Sequence, residues 1–512
     1  MSSSRTTRFP ARAFWFSFAI SFLLLGAWSF ASPHMASPDE PAHAAKAAAT
    51  VRGQFVADES EFNAGRGNFQ LPALFDQAWN QTCFAFQPDT PASCSPEIGG
   101  DLERITDVTS HVARYNPVYY ALIGTPTLAP LSEWTFASMR LVSALINAFL
   151  IALTITVVVG LRRPFLPLFG VLAAMTPMTF FIGGSMTPQG PEVFGSLLVA
   201  VSLLALVFDP DPDRIRHRGW VLVIGTAFFV LARGLSPAYL LMIIVFVVLA
   251  APRFVTVWDT IKDRRFWGPL AACVGLSLVG VVYTLASGSL ALGVVYPDPT
   301  LTARDVVTTM LRGTDYYLEQ ILGTFGWGDT HLPMLLLIGI GGVALALGIL
   351  AMAFGSWRER SVLTLVVLAS IVTPIALQVA SFRESGIVWQ GKYILPIAML
   401  APVLAGFIAA RADALTRASA GLVRTVAALV AILQVWAVVV NIHRYVNGAN
   451  GPWTELIPNP WAPLIPVVLI VGVQVACWAS VIWVVRRWSR SLDAVQPISE
   501  SPARAATGSE AD

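Results

Sequence analysis

Charge is what this sequence has least of. Asp, Glu, Lys and Arg make up only 12% of its 512 residues, about half the share carried by a soluble domain. Lysine occurs at three positions, Lys46, Lys262 and Lys392. A water-soluble chain is excluded on this ground. Several motifs are missing as well. No Walker A loop, no His-Glu-x-x-His and no Gly-x-Gly-x-x-Gly opening a helix after a strand can be found, so ATP-driven transport and zinc proteolysis have no support within this chain. No basic stripe points to nucleic acid.

What is there is apolar. Hydrophobic residues account for 55% of the chain, and mean hydropathy is +0.65. A run of about 20 apolar residues crosses a hydrocarbon core of about 30 Å. Inside lipid the backbone must satisfy its own hydrogen bonds, so the long continuous runs predict helices rather than a barrel. Runs near 13–31, 135–160, 165–185, 192–208, 219–234, 236–251, 267–287, 332–354, 361–381, 391–410, 423–442 and 463–485 predict about twelve spans. The fold class expected is all-α and polytopic, with short helices on the outer face. The first run follows Arg5, Arg8 and Arg12, a pattern shared with signal peptides. Its length and the want of a small-residue cleavage site favour a retained helix.

The distribution of arginine orients the chain. Arg162, Arg163, Arg214, Arg216, Arg218, Arg253, Lys262, Arg264, Arg265, Arg358, Arg360, Arg411, Arg417, Arg486, Arg487 and Arg490 all fall in alternate loops. By the positive-inside rule those loops face the cytoplasm. Residues 1–12 and a disordered tail, 488–512, are then cytoplasmic, and 13–487 form the membrane domain. The heavy use of Ala, Arg and Val resembles a high-GC bacterial genome, and the expected location is a bacterial plasma membrane. Two large polar segments, 32–134 and 288–331, fall outside, with short loops near 186–191, 382–390 and 443–462; together they hold five of the six histidines, His34, His43, His111, His331 and His443. Residues 117–130 are apolar but short and carry Pro117, Pro126 and Pro130, which predicts an interfacial or re-entrant piece, with a full span as the alternative. Cys83 and Cys94 share the first outer segment and are expected to form a disulfide there. Cys273 and Cys477 lie in apolar runs.

Polar groups gathered at one membrane face favour an enzyme working there over a transporter, whose key groups tend to sit near mid-membrane. The sharpest feature is Ser37-Pro38-Asp39-Glu40-Pro41-Ala42-His43 after the first span. Ser37 and Glu40 fit a capping box with Pro38 at the first helical position. Asp39 and His43, four apart, share a helix face. An acid beside a histidine at the surface can serve as a general base. The plainer alternative is that Asp39 and Glu40 are acids favoured by the helix dipole, and that His43 is structural. The set can also be read as part of a metal site, but no second close ligand pair accompanies it. A divalent metal therefore stays open without being indicated.

The chain resembles the bacterial membrane family known as domain of unknown function 2142. The Asp-Glu-Pro-x-His opening of the first outer segment carries the likeness. So do Tyr115-Asn116-Pro117-Val118-Tyr119-Tyr120, Gly184-Ser185-Met186-Thr187-Pro188, Gly326-Trp327-Gly328-Asp329 and Gln390-Gly391-Lys392-Tyr393 with Pro396. That family in turn resembles the C-class (GT-C) membrane glycosyltransferases, which use a polyprenyl-phosphate sugar donor and a carboxylate in the first outer loop. The resemblance implies that Asp39 is the base, with Glu40 as its neighbour and possible substitute. The chain departs from the expected pattern at Thr187-Pro188-Gln189, where an Asn-Pro-Asp or Asn-Pro-Ser stretch would be looked for.

The leaving phosphate of such a donor needs cations. Lys392, Arg233, Arg140 and Arg383 lie toward the outer side. A cation in an apolar run is costly and often functional, although snorkelling to the interface is the alternative. Tyr115, Asp329 and Gln390 complete the substrate-binding candidates. Asp39, Glu40 and His43 are the catalytic ones. Expected partners are the bilayer, a polyprenyl-phosphate sugar and a glycan or lipid acceptor in the cell envelope, with no nucleic acid. The competing readings are a lipid-linked sugar transporter or flippase, and a scaffold for envelope assembly.

Overall fold

A computed structural model describes residues 10–55, 57–59, 66–290, 300–412, 416–453 and 461–493. Helix α1 (Ala11–Phe30) leads into a lobe that runs to the start of α5. The lobe holds α2 (Glu40–Val51), α3 (Ala73–Asn80) and α4 (Pro117–Ile123), with strands β1 (Asp58–Glu59), β2 (Gly67–Pro72) and β3 (Ile105–Ser110). The strands form one antiparallel sheet in the order β1-β2-β3, with Phe69 opposite Val108 and Leu71 opposite Thr106. Phe69 and Leu71 are buried and Gln70 between them is exposed, the alternation of a strand covered on one face. The outer segments carry the expected short helices, and this small sheet stands beside them. A six-residue alternation within a polar stretch is too brief to compete with the surrounding helix and turn signals.

The membrane helices follow in chain order. They are α5 (Trp134–Val159), the pair α6 (Phe165–Ala174) and α7 (Pro177–Gly183), α8 (Gln189–Phe208), α9 (Ile215–Val230) and α10 (Ser236–Ala250). Next come α11 (Phe254–Lys262) and α12 (Arg264–Ser287). Two short helices, α13 (Ala303–Arg312) and α14 (Thr314–Gly323), and a hairpin of β4 (Thr324–Phe325) and β5 (Thr330–His331) precede α15 (Met334–Phe354) and α16 (Trp357–Ser385). A 3₁₀ turn, Gly391–Ile394, opens α17 (Leu395–Ala398) and α18 (Leu400–Ala409), before α19 (Thr416–Asn447) and α20 (Val467–Asp493). The protein is an all-α, multi-pass membrane protein. Among the described residues nine helical segments are long and apolar enough to cross a membrane, ten if α6 and α7 count as one span. The other two expected runs correspond to α9 and α10, of 16 and 15 residues. The expected span 165–185 is bent by 68° between α6 and α7. Pro177, at the start of α7, has no N–H to continue the preceding helix. The stretch 117–130 forms α4 and a 3₁₀ turn, Thr125–Leu128, too short to cross. The tail from 494 onward and residues 1–9 lie outside the described residues.

Local chemistry sets many helix starts. Asn116 caps α4 by accepting from the Val118 N–H, with Pro117 in the first turn, and Ser356 with Glu359 forms a reciprocal capping box on α16. Close backbone approach sets the packing of α6 on α18. A Cβ on Gly406 would lie 2.4 Å from the Leu166 carbonyl, so only glycine lets these helices meet at that distance.

Polar contacts fix the two ends of the bundle. At one end Arg163 donates to the carbonyls of Ala410 and Arg411, at 3.1 and 3.0 Å, and Arg411 pairs with Glu359. Arg218 binds Asp209 at 3.1 Å, and Arg358 donates to the Leu249 carbonyl at 2.7 Å. The lobe after α1 and the segment before α15 meet at the other end. There Arg444 of α19 reaches the loop closed by Cys83 and Cys94. These two cysteines are disulfide-bonded, with Cα atoms 6.0 Å apart. Cys273 and Cys477 are free thiols within α12 and α20.

Candidate functional site

The site forms where the lobe meets the membrane helices. Helix α2 starts at Glu40 rather than at Pro38, with Pro41 in its first turn. Only half of the expected capping box is made, the Ser37 N–H donating to Glu40 Oε2 at 3.3 Å. Asp39 is the residue before the helix and adopts φ +65°, the left-handed region. Few residues other than glycine enter it, Asp and Asn most readily. This twist sends two adjacent carboxylates to opposite places. Glu40 is fully buried, whereas Asp39 keeps 41% of its side chain open.

Glu40 and Arg140 form a closed pair. Arg140 Nε donates to Glu40 Oε1 at 2.9 Å and Nη2 to Oε2 at 2.5 Å. Its remaining N–H groups go to the carbonyls of Ser29, Ser32 and Pro33, at 2.9, 3.0 and 2.8 Å. A guanidinium has five N–H donors, and all are engaged. Glu40 also accepts from the Met186 N–H at 2.9 Å. The pair therefore ties α1, α2, α5 and the loop after α7 together, with no donor left for a ligand.

Asp39 faces outward onto His111, whose Nε2 lies 3.1 Å from Oδ1. His111 follows β3 directly. Ser110, the last residue of that strand, donates its hydroxyl to the Ala42 carbonyl of α2 at 2.9 Å and accepts from the Val112 N–H at 3.3 Å. The sheet thus delivers His111 to Asp39 across 72 residues of chain. Burial resists ionisation of Asp39. The His111 hydrogen bond and the charge of Lys392 favour the carboxylate and hold it below its ordinary range. His43 sits beneath, fully enclosed, with Nδ1 2.8 Å from the Tyr120 hydroxyl and its ring 6.3 Å from that of Tyr115. Burial pushes His43 down to about 3, against the raising effect of Asp39, so it is neutral.

Two cations complete the cluster. Lys392 is buried, and its backbone carbonyl accepts from Gln189 Nε2 at 2.6 Å. The preceding Gly391 N–H donates to Gln320 Oε1. A Cβ at Gly391 would lie 2.1 Å from the Tyr317 carbonyl, so glycine is needed to seat this turn on α14. Among the described residues no carboxylate or hydrogen-bond acceptor pairs with the Lys392 ammonium, which lies 5.8 Å from the Tyr393 ring. Arg233 is held by Glu192 at 3.3 Å and lies over the Tyr393 ring at 4.8 Å. Glu192, fully buried, also accepts from the Ser236 hydroxyl at 2.8 Å. Beside Arg233 a narrow cleft is lined by Tyr115, Asn116, Gly234, Tyr283 and Ser289.

The structure thus brings together Asp39, His43, Tyr115, Arg233 and Lys392. Arg140 and Glu40 stand apart as a clamp. Asp329 is buried against Arg444 at 3.2 Å and Thr330 at 3.1 Å. Arg383 is exposed at the end of α16, over the Phe382 ring at 5.8 Å, and Gln390 precedes the turn that carries Lys392. Four residues escaped the sequence reading of the site: His111, Gln189, Glu192 and Arg444. Glu192 had a signal, an acid inside an apolar run, and the Thr187-Pro188-Gln189 stretch does carry a polar contact. His111 had none. Among the described residues no group of three or more His, Cys, Asp or Glu gathers as a metal site would require.

Among solved structures, the chain is similar to ArnT from Cupriavidus metallidurans bound to undecaprenyl phosphate, at 16% identity and a TM-score of 0.40, over 93% of this chain and 74% of that one. No curated protein matches it. A family model described as "Predicted membrane protein (DUF2142)" matches residues 22–401, and the chain belongs to that family.

Proposed function

We propose that the protein is a membrane glycosyltransferase that moves a sugar from a polyprenyl-phosphate donor to a cell-envelope acceptor, a glycan or a lipid. The observation that carries this reading is a solvent-reachable carboxylate, Asp39, held ionised opposite two cations with donors to spare, Lys392 and Arg233. A leaving phosphate is negative, and preorganised cations stabilise it most where water is scarce. Asp39 supplies the carboxylate that activates the acceptor hydroxyl. Its left-handed backbone stores strain of about 1–3 kcal/mol, a cost found preferentially at functional sites. The choice of donor class follows from the likeness to membrane glycosyltransferases drawn from the sequence motifs.

In this reading the lobe end of the bundle faces away from the cytoplasm. The arginine-rich loops gathered at the opposite end support a bacterial plasma membrane protein with both termini inside. The test uses purified protein in lipid with radiolabelled polyprenyl-phosphate sugars and crude envelope acceptors. Wild type should transfer label, and Asp39→Asn should transfer none while melting as wild type does. Full activity in Asp39→Asn removes the proposal. Donor binding without consumption in wild type would move the reading to transport.

A further inference from the structure

The contact between Asp39 and His111 fixes a protonation pattern. An ionised carboxylate only accepts hydrogen bonds. The 3.1 Å contact to Oδ1 therefore places a proton on His111 Nε2, and the neutral ring then carries its free lone pair on Nδ1. Among the described residues Nδ1 has no hydrogen-bond partner, and 36% of the side chain is open to solvent. Asp39 is less suited to take a proton itself. The His111 hydrogen bond and the Lys392 ammonium favour its charged form, and a general base works best when its pKa lies near the working pH. His43, the other imidazole of the cluster, is enclosed and has its Nδ1 engaged by Tyr120.

We propose that Asp39 and His111 act as a dyad, in which His111 Nδ1 takes the acceptor proton while Asp39 fixes the tautomer and steadies the imidazolium that forms. This rests on the glycosyl-transfer reading and specifies the part of Asp39 in it. The acceptor oxygen bonds to the anomeric carbon as its proton passes to Nδ1. The bond from that carbon to the donor phosphate oxygen breaks, and its electron pair leaves with the polyprenyl phosphate toward Lys392 and Arg233. The imidazolium returns its proton to solvent. The anchoring of Ser110 on α2 keeps the pair in register through the cycle.

His111→Gln tests the assignment. The glutamine amide can occupy the Nε2 position and donate to Asp39, but it has no basic nitrogen. With His111 as the base, kcat should fall by about 10²- to 10⁴-fold, the usual worth of a general base, with donor KM unchanged. His111→Ala should regain part of its rate when free imidazole is added, a response a structural role would not give. Wild-type activity in His111→Gln overturns the proposal and returns the base to Asp39. Should His111→Gln not fold, His111→Ala decides alone: a folded variant whose rate imidazole does not raise overturns the proposal equally. An inactive wild type would instead remove the glycosyl-transfer reading itself, and the dyad with it.

Discussion

Replacing Arg140 by Met separates two accounts of a buried cation. The sequence places Arg140 among the phosphate-binding candidates, while the structure engages every donor it has. Arg140→Met would leave Glu40 at 0% exposure with the Met186 and Ser37 N–H groups as its remaining donors. Breaking a buried ion pair from one side costs about 3–5 kcal/mol, because the other charge is left without compensation. The carbonyls of Ser29, Ser32 and Pro33 lose a partner as well. The expected outcome is a large drop in melting temperature, followed by tryptophan fluorescence in detergent. The double variant Glu40→Gln with Arg140→Met should recover part of it, since it removes both charges. Transfer per folded molecule should keep the wild-type donor KM. A variant that melts as wild type but binds donor poorly would refute the clamp and restore Arg140 to the phosphate.

Two further outcomes follow from groups in the lobe. Lys46 is fully buried, donates to the Phe55 carbonyl at 3.2 Å, and is pushed down to about 8 by burial. Below pH 8 the folded protein bears the cost of a buried ammonium. Between about 8 and about 10.4 the folded chain gives up that proton while the unfolded chain keeps it, so stability rises with pH. Melting of Lys46→Met should lack this rise, and a slope equal to wild type would count against it. The bridge between Cys83 and Cys94 closes a loop whose Phe84, Gln87 and Thr90 carbonyls all bind Arg444. Cys83→Ser should therefore cost about 2–4 kcal/mol, and peptide mapping without reductant should recover the linked pair; free thiols at both positions in native protein would disprove the bridge.

The membrane helices were legible because a span needs only length and hydropathy, both local properties. Each expected run coincides with a helix or helix pair, and the errors lie at the ends: α19 begins at Thr416 and α16 at Trp357, where polar turns extend the apolar core. The 68° break between α6 and α7 was written in Pro177, but a proline inside an apolar run can as easily leave only a kink. The site was half legible. Asp39, His43 and Lys392 each announce themselves as a polar group in an unusual place. The approach of His111 does not, because it depends on the register of β2 with β3 and on the Ser110 contact to α2. Long-range pairing of this kind leaves no local trace.

Asp39 and Glu40 show how much one backbone angle decides. As sequence they are interchangeable helix-start acids, and either could stand for the other. The left-handed turn at Asp39 makes them chemically distinct: one is sealed against Arg140 and the other is presented to His111. The same angle determines which substitution is informative. Alanine at position 39 would remove the carboxylate and also pay about 1–2 kcal/mol for a conformation it resists, so a loss of activity would mix chemistry with folding. Glycine would relieve the strain and loosen the entry to α2. Asparagine tolerates the left-handed region and keeps the shape of the side chain, so Asp39→Asn changes the charge and little else. A loss of transfer in that variant, with melting unchanged, is therefore attributable to the carboxylate.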